Sequence, residues 1–229
     1  MSSAGPEAQT LARLYENRFS GEARRSKDQL WHVLVEHFLQ RFIPPNAVIV
    51  DVAGGFGEFA GHVRATRKIV VDLNPDAAVG NRRDIEFRSG DALRLHEQTD
   101  LLGIADVVFV SNFFEHLASS SELLAVLAGI HALLKPSGTL LVIQPNFRYA
   151  YREYYDFLDH SLPITHRSLD EALKASGFVV DELIAQFLPF TTKGRPSSPA
   201  LLRAYLTLPF LWRFFGAQMF VRAHRAANA

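Results

Sequence analysis

Asp51-Val52-Ala53-Gly54-Gly55-Phe56-Gly57 is the stretch on which the reading of the fold turns. It follows a short β-branched run, Ala47 to Val50, closed by Asp51, and it precedes a segment with helical apolar spacing, Phe56 to Ala65. Glycines let backbone N–H groups come close to a ligand. The amino end of the helix behind them favours anionic or carboxylate groups. Three glycines in four positions exceed what a bare strand-to-helix turn needs. Ala53 stands at the head of this series; its Cβ predicts negative φ there and a slightly narrowed approach.

Working outward, Lys68 to Val71 reads as a second strand ending at Asp72, Ile85 to Arg88 as a third and Ala105 to Val110 as a fourth. The all-apolar run Val107-Val108-Phe109-Val110 suits a strand buried on both faces. Pro136-Ser137-Gly138 turns the chain into a fifth strand, Thr139 to Ile143; Phe178 to Phe187 and Met219 to Ala223 are the sixth and seventh. Leu30, Trp31, Leu34, Val35, Phe38, Leu39 and Phe42 recur at helical spacing over 27–42, stopped by Pro44-Pro45, while 9–25 reads as mixed helix or loop. Ser119 to Leu134 is a helix, and Ser168 to Ser176 another, opened by a capping box of Ser168 and Glu171. Strands alternating with helices predict an α/β, doubly wound, mostly parallel sheet. Ligands on such sheets bind beyond the carboxyl ends of the strands.

Two ligand readings fit the glycine turn. Gly55-x-Gly57-x-x-Ala60 with Asp72 matches the dinucleotide fingerprint of an NAD(P)-binding oxidoreductase. The wider pattern differs. Asp51, the glycine turn and Asp72 are joined by Ser89-Gly90-Asp91-Ala92 after strand three, by ADVVFVSNFFEHL from Ala105 to Leu117, and by Leu134-Lys135-Pro136-Ser137-Gly138-Thr139-Leu140. In that order they resemble the motifs of class I S-adenosylmethionine-dependent methyltransferases, over residues 47–187. The resemblance implies a Rossmann-like seven-stranded sheet with an antiparallel last strand, and S-adenosyl-L-methionine as cofactor. It implies that Asp51 and the Gly55 backbone hold the methionine part, with Ala53 and Gly57 shaping the turn. It also implies that Asp72 accepts the ribose hydroxyls with Leu73 beside it, that Asp91 and Ala92 meet the adenine edge, and that Ser111 or Asn112 touches the methionine ammonium.

The sulfonium methyl is already electrophilic, so the protein's task is alignment. A base is needed where the acceptor is a hydroxyl. His116, in Glu115-His116, and His160, in Asp159-His160, are the candidate catalytic residues, because an imidazole titrates near neutral pH. Tyr149, Tyr151, Tyr154, Tyr155, Asp156, Asp159, Thr165 and His166 follow strand five, where such enzymes commonly build an acceptor pocket; His166 is placed to cap the next helix. Glu115, His116, His160 and His166 are metal-ligand types. Asn112, however, occupies the first Glu place of the Glu-x-x-Glu-His pattern that metal-using members carry, so the expectation is no metal.

The 229 residues fit an amino-terminal helical extension, 1–45, and a methyltransferase domain, 46–229. With no cysteine, disulfides, thiolate metal sites and cysteine nucleophiles are excluded. The 24 basic and 24 acidic residues balance, which argues against a nucleic-acid partner, yet six of the basic ones lie beyond Glu182, the last acid. Residues 188–218 form an acid-free, apolar and basic insertion between strands six and seven. A Trp/Phe/Leu face carrying only arginines suits the membrane interface. The expected place is the cytoplasm, with peripheral membrane contact through 200–222 as a further reading. The expected activity is O-methylation of a small-molecule, sugar or lipid-linked acceptor, the alternatives being small-molecule N-methylation or NAD(P)-dependent oxidoreduction.

Overall fold

A computed structural model describes residues 21–74, 83–190 and 198–226. Seven strands form one sheet: β1 (Val48–Val52), β2 (Arg67–Asp72), β3 (Glu86–Ser89), β4 (Ala105–Ser111), β5 (Leu134–Pro145), β6 (Phe178–Ile184) and β7 (Gln218–Arg225). Their order is β3-β2-β1-β4-β5-β7-β6. β1 through β5 pair in parallel, and β7 runs antiparallel to both β5 and β6. β6 therefore points the same way as β5, and the first six strands end on one rim.

The central strands are buried on both faces, which is why they read as unbroken apolar runs. Val50, Val52, Ile69, Val71, Val108 and Val110 face one layer. There they meet α3 (Ser120–Leu133) and, past the single turn α4 (Phe147–Ala150), α5 (His166–Ala175) through Leu127, Ile130, Leu169 and Leu173. Ile49, Val70, Val107, Phe109 and Leu141 alternate to the other layer. That face is covered by α1 (Gly21–His37) and α2 (Glu58–His62) through Leu34, Val35 and Phe59, with Phe38 just past the end of α1, so α1 shares its core with the sheet.

Several boundaries differ from the sequence reading. The helix expected over 27–42 starts at Gly21 and ends at His37, then tightens into a 3-10 turn, Leu39–Phe42. β1 runs through Asp51 to Val52, so Asp51 is a strand residue under the turn, not the residue that closes the strand. The bend at Pro136-Ser137-Gly138 is absorbed into β5, where Ser137 has φ 60° and the register with β4 slips between Ala105 and Val107. The capping box of α5 is made by Thr165 and Ser168, three residues ahead of the predicted pair, so His166 is its first helical residue and does not cap it. Only Ser168 with Glu171 matches the Ser/Thr-x-x-Glu/Gln signature; in Thr165 and Ser168 a serine takes the N3 place, and Thr165 has the extended backbone (φ −100°, ψ 161°) that an N-cap requires.

The segment between β6 and β7 folds onto the α1 layer. α6 (Pro199–Thr207) opens on Ser198, whose hydroxyl accepts from Leu201 N–H, with Pro199 in the first turn. It packs along α1. A 3-10 turn (Pro209–Leu211) and α7 (Trp212–Phe215) return the chain to β7. Trp212 Nε1 donates to Tyr205 O at 2.9 Å, and the Tyr205 hydroxyl donates to Phe187 O. Among these described residues no helix is long and apolar enough to cross a membrane.

Candidate active site

The turn after β1 lies on the rim where β2 and β4 also end. Gly55 (φ 54°) and Gly57 (φ 69°) take left-handed backbone, and so does Ala53, at φ 53°. The expected negative φ at Ala53 is therefore wrong: the loop keeps a glycine-type path and the alanine carries the strain. Ala53 N–H, donating to Val71 O at 2.8 Å, holds it there. Ala53→Gly should accordingly raise the unfolding free energy by about 1 kcal/mol, read as a higher midpoint in urea at unchanged slope.

Asp51 lies directly under this turn. A methyl at Gly54 would sit 2.6 Å from the Asp51 carboxyl carbon, so only glycine lets the chain cross it. The carboxyl is 1% exposed, and its Oδ2 has no hydrogen-bond partner among the described residues. Burial, then the charges of Glu58 and Asp72, push its pKa well above the usual carboxylate range, against the pull of Lys27. Asp72, at the end of β2, accepts from Gly55 N–H through Oδ2 and from Asn74 N–H through Oδ1, both at 2.8 Å. Each oxygen keeps a lone pair for a further donor. Space above Gly55 is open: a Cβ there would meet nothing within 4 Å. Leu73 is 67% exposed on the same rim.

The other rim residues fall into place around these. Asp91 caps the 3-10 turn Ala92–Glu97 with Oδ1, accepting from Leu93 N–H at 2.9 Å, and Ala92 is buried behind it. Ser111 ends β4, and Asn112 follows at φ 48°, its N–H on Ile143 O. The Asn112 amide donates to Gln218 Oε1 at 3.4 Å, and Gln218 Nε2 donates to Pro189 O at 2.9 Å. That bridge ties the loop after β4 to the loop after β6.

Past Asn112 the chain buries Glu115, whose carboxyl takes a 2.6 Å hydrogen bond from Gln144 Nε2. Burial raises its pKa, while His116 and Gln144 pull the other way. His116 Nδ1 lies 3.1 Å from Asp159 O and 3.3 Å from Asp159 Oδ2, which leaves Nε2 facing Glu115 Oε1 at 4.0 Å. The Asp159 carboxylate thus meets the imidazole of His116, 43 residues away. His160 is 9% exposed and packed between Phe157 and Tyr154, with its ring 5.2 Å from that of His116. Glu115, His116 and His160 each bring one donor atom to within 4.8 Å of the others.

The tyrosines after β5 divide. Tyr154 is fully buried, its hydroxyl donating to Leu162 O, so it builds the wall and cannot reach an acceptor. Tyr149, Tyr151 and Tyr155 are exposed, and Tyr149 stacks on His166. Burial and the charges of Arg167 and Arg148 lower the His166 pKa, and its Nδ1 meets the Asn146 amide at 3.0 Å. A cleft of about 440 Å³ opens between the loops after β5 and β6 and the end of α7, lined by Tyr149, Arg152, Glu153, Phe190, Phe214 and Phe215 among others.

Residues 23–183 match the family model described as a methyltransferase domain, which covers well over half of the chain. The chain belongs to the class I S-adenosylmethionine-dependent methyltransferase family. A search of the curated proteins finds no match to the sequence. Solved structures agree in fold. A SAM-dependent methyltransferase from Archaeoglobus fulgidus has a TM-score of 0.61 at 20% identity, over 85% of this chain and 94% of that one. One from Methanosarcina mazei gives 0.62 at 15%, over 83% and 97%. The [4+2]-cyclase SpnF gives 0.59 at 16%, over 88% and 81%. Identities this low speak to fold alone, and a fold shared with a cyclase leaves the acceptor chemistry to be argued from the site.

The methyltransferase cradle fits its cofactor. An unpartnered, buried Asp51 oxygen suits a ligand that brings positive charge, and S-adenosylmethionine carries both an ammonium and a sulfonium. Asp72 retains acceptor capacity for a diol, and the open face above Gly55 gives a ligand room against backbone N–H groups. The structure gathers Asp51, Ala53, Gly55, Gly57 and Asp72 at one turn and sets Asp91, Ala92, Ser111 and Asn112 along the same rim. Sequence reasoning passed over Gln218, Gln144 and the Asp159–His116 pairing. Gln144 carried a readable signal, as a polar residue directly after the apolar run Leu140 to Ile143; Gln218 carried none.

Proposed function

We propose that this methyltransferase transfers the methyl group to a hydroxyl of a small-molecule or glycan-type acceptor. The observation that carries this reading is the Asp159–His116 pair. An imidazole held through Nδ1 by a carbonyl and a carboxylate is fixed in one tautomer and presents an Nε2 lone pair. A hydroxyl must lose its proton during transfer, whereas a neutral amine can attack first. A positioned imidazole in the turn after β4, on the rim that also carries the glycine turn, therefore favours O- over N-methylation. His160, packed against His116, keeps that ring in place. The cofactor, when bound, supplies an electrophilic methyl group. The protein's contribution is to hold it by Asp51, Asp72 and Asp91, with Ser111 and Asn112 at the methionine end, and to align the acceptor oxygen.

The test is a tritium-methyl transfer screen against glycan, lipid and phenol pools, with His116→Gln beside the wild type. Hydroxyl-methylated product, reduced about a hundredfold or more in His116→Gln at unchanged cofactor affinity, supports the reading. Product methylated only on nitrogen contradicts it. The imidazole acts as the proton acceptor, so turnover should survive a chelator. Activity lost to the chelator and restored by a divalent cation would put Glu115, His116 and His160 to work as metal ligands instead.

Asp51 gives a pH prediction. Its pKa is raised in the folded protein, so its ionisation opposes folding once pH rises above the unfolded value. A cationic ligand favours the ionised form. Affinity for S-adenosylmethionine should therefore climb as pH rises through the Asp51 titration, with a proton released on binding. In Asp51→Asn the cofactor-free protein should be more stable at neutral pH, and calorimetry should show weaker binding with this pH dependence lost. An unchanged slope would take Asp51 out of the cofactor site.

A further inference from the structure

The segment 199–216 is anomalous in what it exposes. Leu201 (54%), Leu208 (41%), Phe210 (63%), Phe214 (74%) and Phe215 (55%) all face solvent, although the same segment buries Leu206 and Trp212 against the core. Its anchoring does not use them: the Tyr205 hydroxyl donates to Phe187 O, and Gln186 Nε2 donates to Arg213 O and Gly216 O. Isolated exposed apolar residues are ordinary, but several large ones along one short segment mark a contact surface. The charges there are Arg203 and Arg213, both exposed, and the segment holds no acid. Two of the exposed rings, Phe214 and Phe215, also line the cleft, together with Tyr149, Arg152 and Glu153 from the loop after β5. The apolar ridge and the cleft are therefore one continuous surface.

We infer that the ridge of α6, the Pro209–Leu211 turn and α7 rests on an anionic lipid bilayer and that the acceptor reaches the cleft carried on a lipid. Aromatic and leucine side chains enter the headgroup region while arginines pair with anionic lipid, which is the composition seen here. A protein partner or a second copy would be served by apolar rings equally well, but arginines with no acid among them complement a uniformly negative surface. Glu153, the one acid of the cleft lining named above, comes from the loop after β5 and not from the ridge. The inference deepens the proposed O-methylation by naming the class of acceptor.

The test uses the full chain with vesicles of phosphatidylcholine, with and without phosphatidylglycerol, in co-sedimentation. Phosphatidylglycerol vesicles should bind the protein, and raising salt should weaken the binding. Leu201→Ser with Phe210→Ser, both outside the cleft lining, should lower partitioning tenfold or more at unchanged cofactor affinity and melting temperature. Arg203→Gln with Arg213→Gln should remove the preference for the anionic lipid. No partitioning into either vesicle overturns the inference. So does partitioning that the Leu201/Phe210 variant leaves intact, or a concentration-dependent dimer in light scattering that this variant abolishes. Cofactor calorimetry and transfer to a water-soluble acceptor report on the methyltransferase reading separately, so either can fail without the other.

Discussion

Replacing Asp72 with alanine should weaken S-adenosylmethionine binding by about a hundredfold to ten-thousandfold. The magnitude follows from two hydrogen bonds to a charged acceptor, each contributing about 1.5–3 kcal/mol. The carboxylate stands at the end of β2, with one oxygen on Gly55 N–H and the other on Asn74 N–H. Its loss would remove the proposed ribose acceptor and also loosen the glycine turn against β2. Asp72→Asn should fall between wild type and alanine, since the amide keeps one acceptor oxygen. Isothermal calorimetry reads both, with a urea titration beside it to separate the two contributions. Unchanged affinity in Asp72→Ala at wild-type stability would remove the residue from the site.

The largest stability change is expected at Phe187. This ring is fully buried, with neighbours Phe38 at 4.3 Å, Trp212 at 5.1 Å and Phe220 at 5.7 Å between centroids. It is where α1, the 188–217 segment and β7 meet, so its removal opens a cavity that three elements share. Phe187→Ala should cost about 3–5 kcal/mol in unfolding free energy, measured as a shift of the urea midpoint. In the sheet, β4 and β5 stand between β1 and β7, so calorimetry at low temperature should show cofactor affinity close to wild type. A loss below about 1 kcal/mol would mean that the segment is not anchored through this ring.

The parallel core was legible because its chemistry is local. Val107 to Val110 and Leu140 to Ile143 are apolar on both faces, and the turn, Asp72 and the Ser89-Gly90-Asp91-Ala92 segment sit just where strands end. The element ends were less so. Thr165 and Ser168 offer competing caps for one helix, and the choice depends on the approach of the preceding chain, which is set by Asn146 holding His166 and Ala185. Ala53 shows a different limit. Propensity argues for negative φ, but the hydrogen bond to Val71 and the crossing over Asp51 impose the left-handed path. The pairing of Asp159 with His116, 43 residues apart, could not be read from adjacency, which points to His160. Exposure of Phe210, Phe214 and Phe215 was equally hidden, since their spacing fits a buried helix as well as an open one.

The central claim is that the turn after β1, with Asp51 beneath it and Asp72 beside it, is where S-adenosylmethionine binds. A crystal structure with S-adenosylhomocysteine tests it most directly. The account predicts the ribose hydroxyls on the Asp72 carboxylate, the amino-acid end over Gly55 within reach of Asp51, and the sulfur facing the side of the site where His116 lies. A ligand found elsewhere, or one seated at the turn with Asp72 still bonded only to Gly55 and Asn74, would contradict it.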